Sequence, residues 1–227
     1  MPPETRARLL DVQVPPGPVG QVVVLHGGAS RGDGVPVSPT QLSVVRMVPI
    51  ARRVARAGRG RLAVVRLLNS VRGWDGDHTP VDDARWALDR LAERFGTTLP
   101  TCLVGHSLGG RAALLAATRP EVRSAVALAP WVYETDGRLD LDGRRVLVVH
   151  GTDDRIADPA RSRAVARGLA RTAQVGYVSV AGGSHSMLRH HGSFDRYAAQ
   201  FAAATLLDHT AAGPVGEVLS GRAWVEA

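Results

Sequence analysis

Short apolar runs rich in Val, Leu and Ala recur along this chain, separated by longer stretches in which apolar positions return every three or four residues. Runs at 9–14, 19–25, 62–67, 101–104, 125–128, 146–149 and 175–180 predict strands. Most lack the polar alternation of a strand with one wet face, so both faces must be covered. The periodic stretches near 47–57, 81–95, 108–118, 159–170 and 194–209 predict helices in the gaps. Pro49 fits the first turn of its helix, where its missing N–H removes no hydrogen bond. Strands alternating with helices imply an α/β fold with a mostly parallel twisted sheet and helices on both faces. Right-handed crossovers then gather the loops that follow the strands along one sheet edge. The 227 residues suit one domain, 1–227, with no internal repeat; residues 211–216 read as a short flexible joint before a C-terminal tail.

The pattern acquires chemistry where a strand run meets Gly105-His106-Ser107-Leu108-Gly109, directly followed by a helical run. A serine between glycines in that context can sit on a sharp strand-to-helix turn that presents its hydroxyl. The positive end of the following helix favours negative charge developing beside it. Such a serine is a weak nucleophile until a base takes its proton and a carboxylate orients the base. Both residue types follow further strand runs. His150-Gly151-Thr152-Asp153-Asp154 closes the run at 146–149, and Gly182-Gly183-Ser184-His185 follows the run at 175–180.

Serine, acid and histidine in this order resemble the α/β-hydrolase superfamily, in particular its small bacterial serine esterases without a cap. The resemblance covers nearly the whole chain and also takes in His26-Gly27-Gly28 after the first strong strand. It implies Ser107 as nucleophile and His185 as base, with the backbone N–H groups of Gly28 and Leu108 as oxyanion hole. The acid of an H-G-x-x-D loop stands three residues after the glycine, which points to Asp154, with its neighbour Asp153 left as the alternative. His26-Gly27-Gly28 can also be read as a tight turn that needs positive φ, with His26 bracing the loop. His190 and His191, read as a solvated turn, are further candidates for the base. Many members of the superfamily insert a cap between the strands that here end near Pro130 and begin at Val146; this chain has room only for a short loop. Trp131 and Tyr133, at its start, are expected to wall an open pocket. The implied activity is cleavage of a carboxylic ester or thioester through an acyl-enzyme, without cofactor. The same groups could serve peptide or C–C bond hydrolysis, or the fold could be kept by a non-catalytic binding protein.

Composition changes this picture little. Basic residues exceed acidic ones by seven, yet all 28 are arginine and they are scattered, with one local cluster at Arg52, Arg53, Arg56, Arg59 and Arg61. This reads as codon bias, so the expected partner is a small acyl substrate and neither nucleic acid nor membrane; oligomeric state is left open. The lone Cys102 lies in an apolar run and is expected to be a buried, inert thiol. With no apolar leader core and no apolar stretch long enough to span a bilayer, the expected setting is cytoplasmic. Asp75, Asp77 and His78 in the loop at 72–78 could suggest a metal. Three ligands without a fourth and a fixed geometry make no site, so a pocket-rim loop without metal is expected. Asp82 and Asp83 read as a helix start favoured by the dipole.

Overall fold

The computed structural model describes residues 7–29, 34–75 and 79–227. In chain order these form β1 (Arg8–Gln13), β2 (Gly20–Leu25), α1 (Leu42–Val45), α2 (Met47–Ala57), β3 (Leu62–Leu68), α3 (Pro80–Phe95), β4 (Thr101–His106) and α4 (Leu108–Ala116). There follow β5 (Val122–Leu128), a 3-10 turn (Glu134–Arg138), β6 (Arg145–Gly151), α5 (Pro159–Leu169), β7 (Gln174–Val180), α6 (His191–Leu207), α7 (Gly213–Leu219) and β8 (Trp224–Glu226). Among the described residues, eight strands make one sheet in the order β1-β3-β2-β4-β5-β6-β7-β8. Only β1 runs antiparallel to its neighbour; the other pairs are parallel.

The uninterrupted apolar strands are explained by two cores. Val23, Leu25 and Leu103 point to the face covered by α3, α4 and α5, and Val22, Val24, Cys102 and Val104 point to the face covered by α2, α6 and α7. Alternate residues of one strand thus serve opposite cores, which is why no polar alternation appears. Burying one Leu, Ile or Phe here, as for Leu25, Ile50 and Phe194, is worth about 1.5–3 kcal/mol. Helix starts are set locally. Thr79 caps α3, its N–H and hydroxyl both donating to Asp82 (2.9 and 2.8 Å), and Pro80 occupies the first turn. Asp83 is wholly buried and accepts from the N–H and hydroxyl of Ser70.

The C-terminal segment differs from its sequence reading. Instead of a joint and a tail, it folds into α7 and the edge strand β8, with Val215, Val218 and Val225 buried against the α6 face of the sheet. Each element is too short to show a period, and each gains its stability from the sheet edge it covers. The same holds for α1 and the 3-10 turn, which lie in stretches without a predicted element. Among the described residues, no helix is long and apolar enough to cross a membrane.

Candidate active site

Strand β4 ends in a turn so tight that Ser107 adopts φ 54 and ψ −119. This left-handed conformation costs a non-glycine residue about 1–3 kcal/mol and persists only where its surroundings enforce it. Ser107 N–H donates to Leu128 O of β5 (2.9 Å), while its own carbonyl accepts from Trp131 N–H (3.1 Å) and from Arg111 N–H in the first turn of α4 (3.1 Å). The turn also requires glycine: a Cβ on Gly105 would lie 2.0 Å from Gly109 O, where α4 folds back onto β4.

Two loops from the same sheet edge meet this serine. His185, after β7, places Nε2 2.9 Å from Ser107 Oγ and Nδ1 2.8 Å from Asp154 Oδ2. Asp154, after β6, is buried and accepts four hydrogen bonds. Ile156 and Ala157 N–H groups donate to Oδ1 (2.8 and 2.9 Å), and His150 Nε2 joins His185 on Oδ2 (3.0 Å). Burial works against the charge of this carboxylate, but the bonds from His150, His185, Ala157 and Ile156 outweigh it and hold its pKa well below the usual range. With Asp154 charged, His185 carries its proton on Nδ1 and turns the Nε2 lone pair toward Ser107. The loops are tied by backbone as well: Asp153 N–H donates to Gly183 O (2.9 Å), and Gly182 N–H to Thr152 Oγ1 (2.9 Å).

Ser107 and His185 open into a cavity of about 370 Å³ whose wall includes Gly28, Leu108, Trp74, Trp131 and Tyr133. Gly28 avoids the left-handed region; it must be glycine because a Cβ would stand 1.9 Å from Arg72 O. The constraint is therefore space, not a turn with positive φ. His26 braces the loop from below, with Nδ1 donating to Gly27 O (2.6 Å) and Nε2 accepting from Asn69 N–H (3.1 Å). Burial lowers its pKa, so it stays neutral.

Neither a family model nor a curated protein matches the sequence. Solved structures match in shape. Est1E from Butyrivibrio proteoclasticus aligns with a TM-score of 0.62 at 17% identity, over 86% of this chain and 91% of that one. An α/β serine hydrolase homologue from Coxiella burnetii aligns at 0.64 and 18% identity, over 86% of this chain and 93% of that one. XC6422 from Xanthomonas campestris, a member of the α/β serine hydrolases without lid, aligns at 0.56 and 21% identity, over 86% of this chain and 93% of that one. This chain has the α/β-hydrolase fold.

It is an α/β-hydrolase fold without a cap: residues 129–144, between β5 and β6, hold one 3-10 turn. Asp153 is exposed, its carboxylate accepting from Thr152 Oγ1, so Asp154 is the member of the doublet that reaches His185. The expected solvated turn holds in part: His190 stands in a turn and His191 is exposed. His190 is the half-buried cap residue of α6, and His191 opens that helix with Nδ1 donating to Leu188 O (2.9 Å). Asp77 and His78 lie outside the described residues. Burial pushes the Cys102 thiol up to about 12.

Three features escaped the sequence reading. His150 was part of the H-G-x-x-D motif, but its contact with Asp154 was not foreseen, although the spacing of four residues could have suggested it. Its Nδ1 meets Ser162 Oγ (2.7 Å), which in turn meets Tyr177 OH (3.0 Å). Arg111 lies between Trp74 and Tyr133, 4.5 Å from each ring centroid, and forms a two-pronged pair with Asp136 (2.7 and 3.0 Å). It thereby fixes two aromatic walls of the cavity. His106 is buried and donates from Nε2 to His185 O (2.9 Å). No local signal marks these last two.

Proposed function

We propose that this protein is a serine hydrolase that cleaves a carboxylic ester or thioester through an acyl-enzyme. The observation that carries the reading is the hydrogen-bonded line from Ser107, held at φ 54, through His185 to a buried, charged Asp154 at the wall of an open cavity. Ser107 Oγ attacks the substrate carbonyl carbon as its proton passes to His185 Nε2. The Asp154 carboxylate orients the ring and stabilises the imidazolium. The oxyanion of the tetrahedral intermediate accepts from Gly28 N–H and Leu108 N–H, each such donor being worth about 3–4 kcal/mol at the transition state. Collapse breaks the bond to the leaving oxygen or sulfur, which takes the proton from His185. Water then attacks the acyl-enzyme with His185 again as base, and Ser107 regains its proton. Trp131 and Tyr133 contact the acyl group in the cavity, and no cofactor is required by these steps.

The test is covalent labelling with a fluorophosphonate followed by hydrolysis of soluble short-chain esters, thioesters and matched amides. The wild type is expected to label once, at Ser107, and to favour esters or thioesters over amides. Ser107→Ala is expected to abolish labelling and to lower turnover about a millionfold, with its unfolding curve retained. Labelling that persists in the Ser107→Ala protein overturns the assignment.

A further inference from the structure

Beside the cavity runs a second hollow of about 320 Å³, walled by Leu42, Val45 and Leu188 with Ser43, His106 and Ser186. The two hollows share Ser43 and His106 in their walls, so the groove adjoins the cavity that holds Ser107. Its apolar walls are open to solvent: Leu42 is 85% exposed, Leu188 64% and Val45 46%. Arg46, also in the wall, is neutralised by Asp195 at 2.9 Å and donates from Nε to Ser186 O. The groove therefore presents apolar surface to whatever enters from the site.

Its position relative to the imidazole indicates which part of a substrate it meets. Ser186 and Leu188 follow His185 in the same loop, and His106 holds the His185 carbonyl at 2.9 Å. The groove thus adjoins the loop that carries His185, while the His185 ring lines the cavity together with Gly28, Leu108, Trp131 and Tyr133. The leaving oxygen must take its proton from His185 Nε2, so the group bonded to that oxygen is on the imidazole side. We propose that the Leu42–Leu188 groove binds the alcohol portion of the ester, that this portion is an aliphatic chain, and that the acyl portion occupies the aromatic-walled cavity. The proposal rests on the hydrolase reading above.

Two ester series separate the subsites: acetates of alcohols from ethyl to hexyl, and ethyl esters of acids from acetyl to hexanoyl. For the wild type, kcat/KM is expected to rise along the alcohol series by about twofold to fourfold per methylene, as burial of a methylene in apolar surroundings implies. Where deacylation limits turnover, kcat is expected to stay level along that series, because all acetates share one acyl-enzyme. Leu42→Ser and Leu188→Ser change exposed side chains, so the fold is expected to tolerate them. Each is expected to lower the slope of the alcohol series, with the pair about tenfold below wild type at hexyl acetate, while the slope along the acyl series stays as in the wild type. A flat alcohol series in an active wild type, or variants that change the acyl slope instead, overturns the groove assignment alone. A wild type that neither labels at Ser107 nor hydrolyses any ester overturns the hydrolase reading and this proposal with it.

Discussion

Asp154 shows how single residues in this site depend on a second ring of partners. Its Oδ2 serves two histidines at once, and its Oδ1 is filled by two backbone donors. Asp154→Asn keeps the size but turns a donor toward the ring, so His185 is left in the wrong tautomer. Turnover is expected to fall by about four orders of magnitude, measured on the best soluble ester. Asp153→Asn, at an exposed carboxylate bonded only to Thr152 among the described residues, is expected to stay near wild type in the same assay. His150 acts through Asp154 and is a positioning residue. His150→Phe removes one of the three partners of the buried Ser162 hydroxyl and leaves one Asp154 lone pair unfilled. A stability loss of about 1–3 kcal/mol is expected in urea unfolding, together with a smaller fall in turnover than for Asp154→Asn.

At the scale of elements, the site is only as fixed as the loop that carries His185. That loop includes Met187 in a left-handed conformation (φ 58) and is held by Arg46, at the junction of α1 and α2. The same arginine pairs with Asp195 of α6, with 8% and 5% side-chain exposure. Removing one partner of a buried pair leaves an uncompensated charge, so Arg46→Ala is expected to cost about 3–5 kcal/mol in urea unfolding and to lower kcat/KM by loosening the loop. The pair of Arg94 on α3 with Asp11 on β1 is a useful contrast, being 42% and 49% exposed. Water screens it, and Arg94→Ala is expected to cost about 0–1 kcal/mol by the same measurement. Which arginine matters cannot be read from an arginine-rich sequence, because burial is set by which helices pack.

For the whole molecule, two buried histidines govern the response to acid. Burial is the main cause that lowers the His106 pKa from 6.5 to about 3, with His185 adding to it, and burial also lowers that of His26. Between about 3 and 6.5, unfolded His106 takes up a proton that the folded form refuses. Stability is therefore full above pH 6.5 and is lost as pH falls through this window, by up to about 1.4 kcal/mol per pH unit for this residue. Asp154 has the opposite direction of charge but the same direction of loss. Its contribution is present above its unfolded value of 3.8 and disappears only as pH falls toward its lower folded value. His106→Gln is thus expected to flatten the stability profile between pH 4 and 6.5 and to leave the steeper loss below pH 4, as read from urea midpoints at a series of pH values.

The sequence by itself determined the alternation of strands and helices, the mostly parallel sheet and the serine on a strand-to-helix turn. These are written in local patterns: apolar runs covered on both faces, a helical period, and glycines where two backbones touch. It also placed an acid and a histidine after later strands, because loops that follow parallel strands share one edge. What tertiary structure alone decided depends on residues distant in the chain. His185 lies 78 positions from Ser107 and 31 from Asp154, so which carboxylate of the doublet meets the ring was left to a resemblance until the loops were packed. Arg111 between two aromatic rings, His106 beneath the His185 loop, the apolar groove from Leu42 to Leu188, and the short α7 and β8 at the sheet edge carry no period or motif. Each is stabilised by surfaces that exist only once the sheet has assembled, since a side chain's neighbours, its burial and thus its charge state follow from packing across the chain.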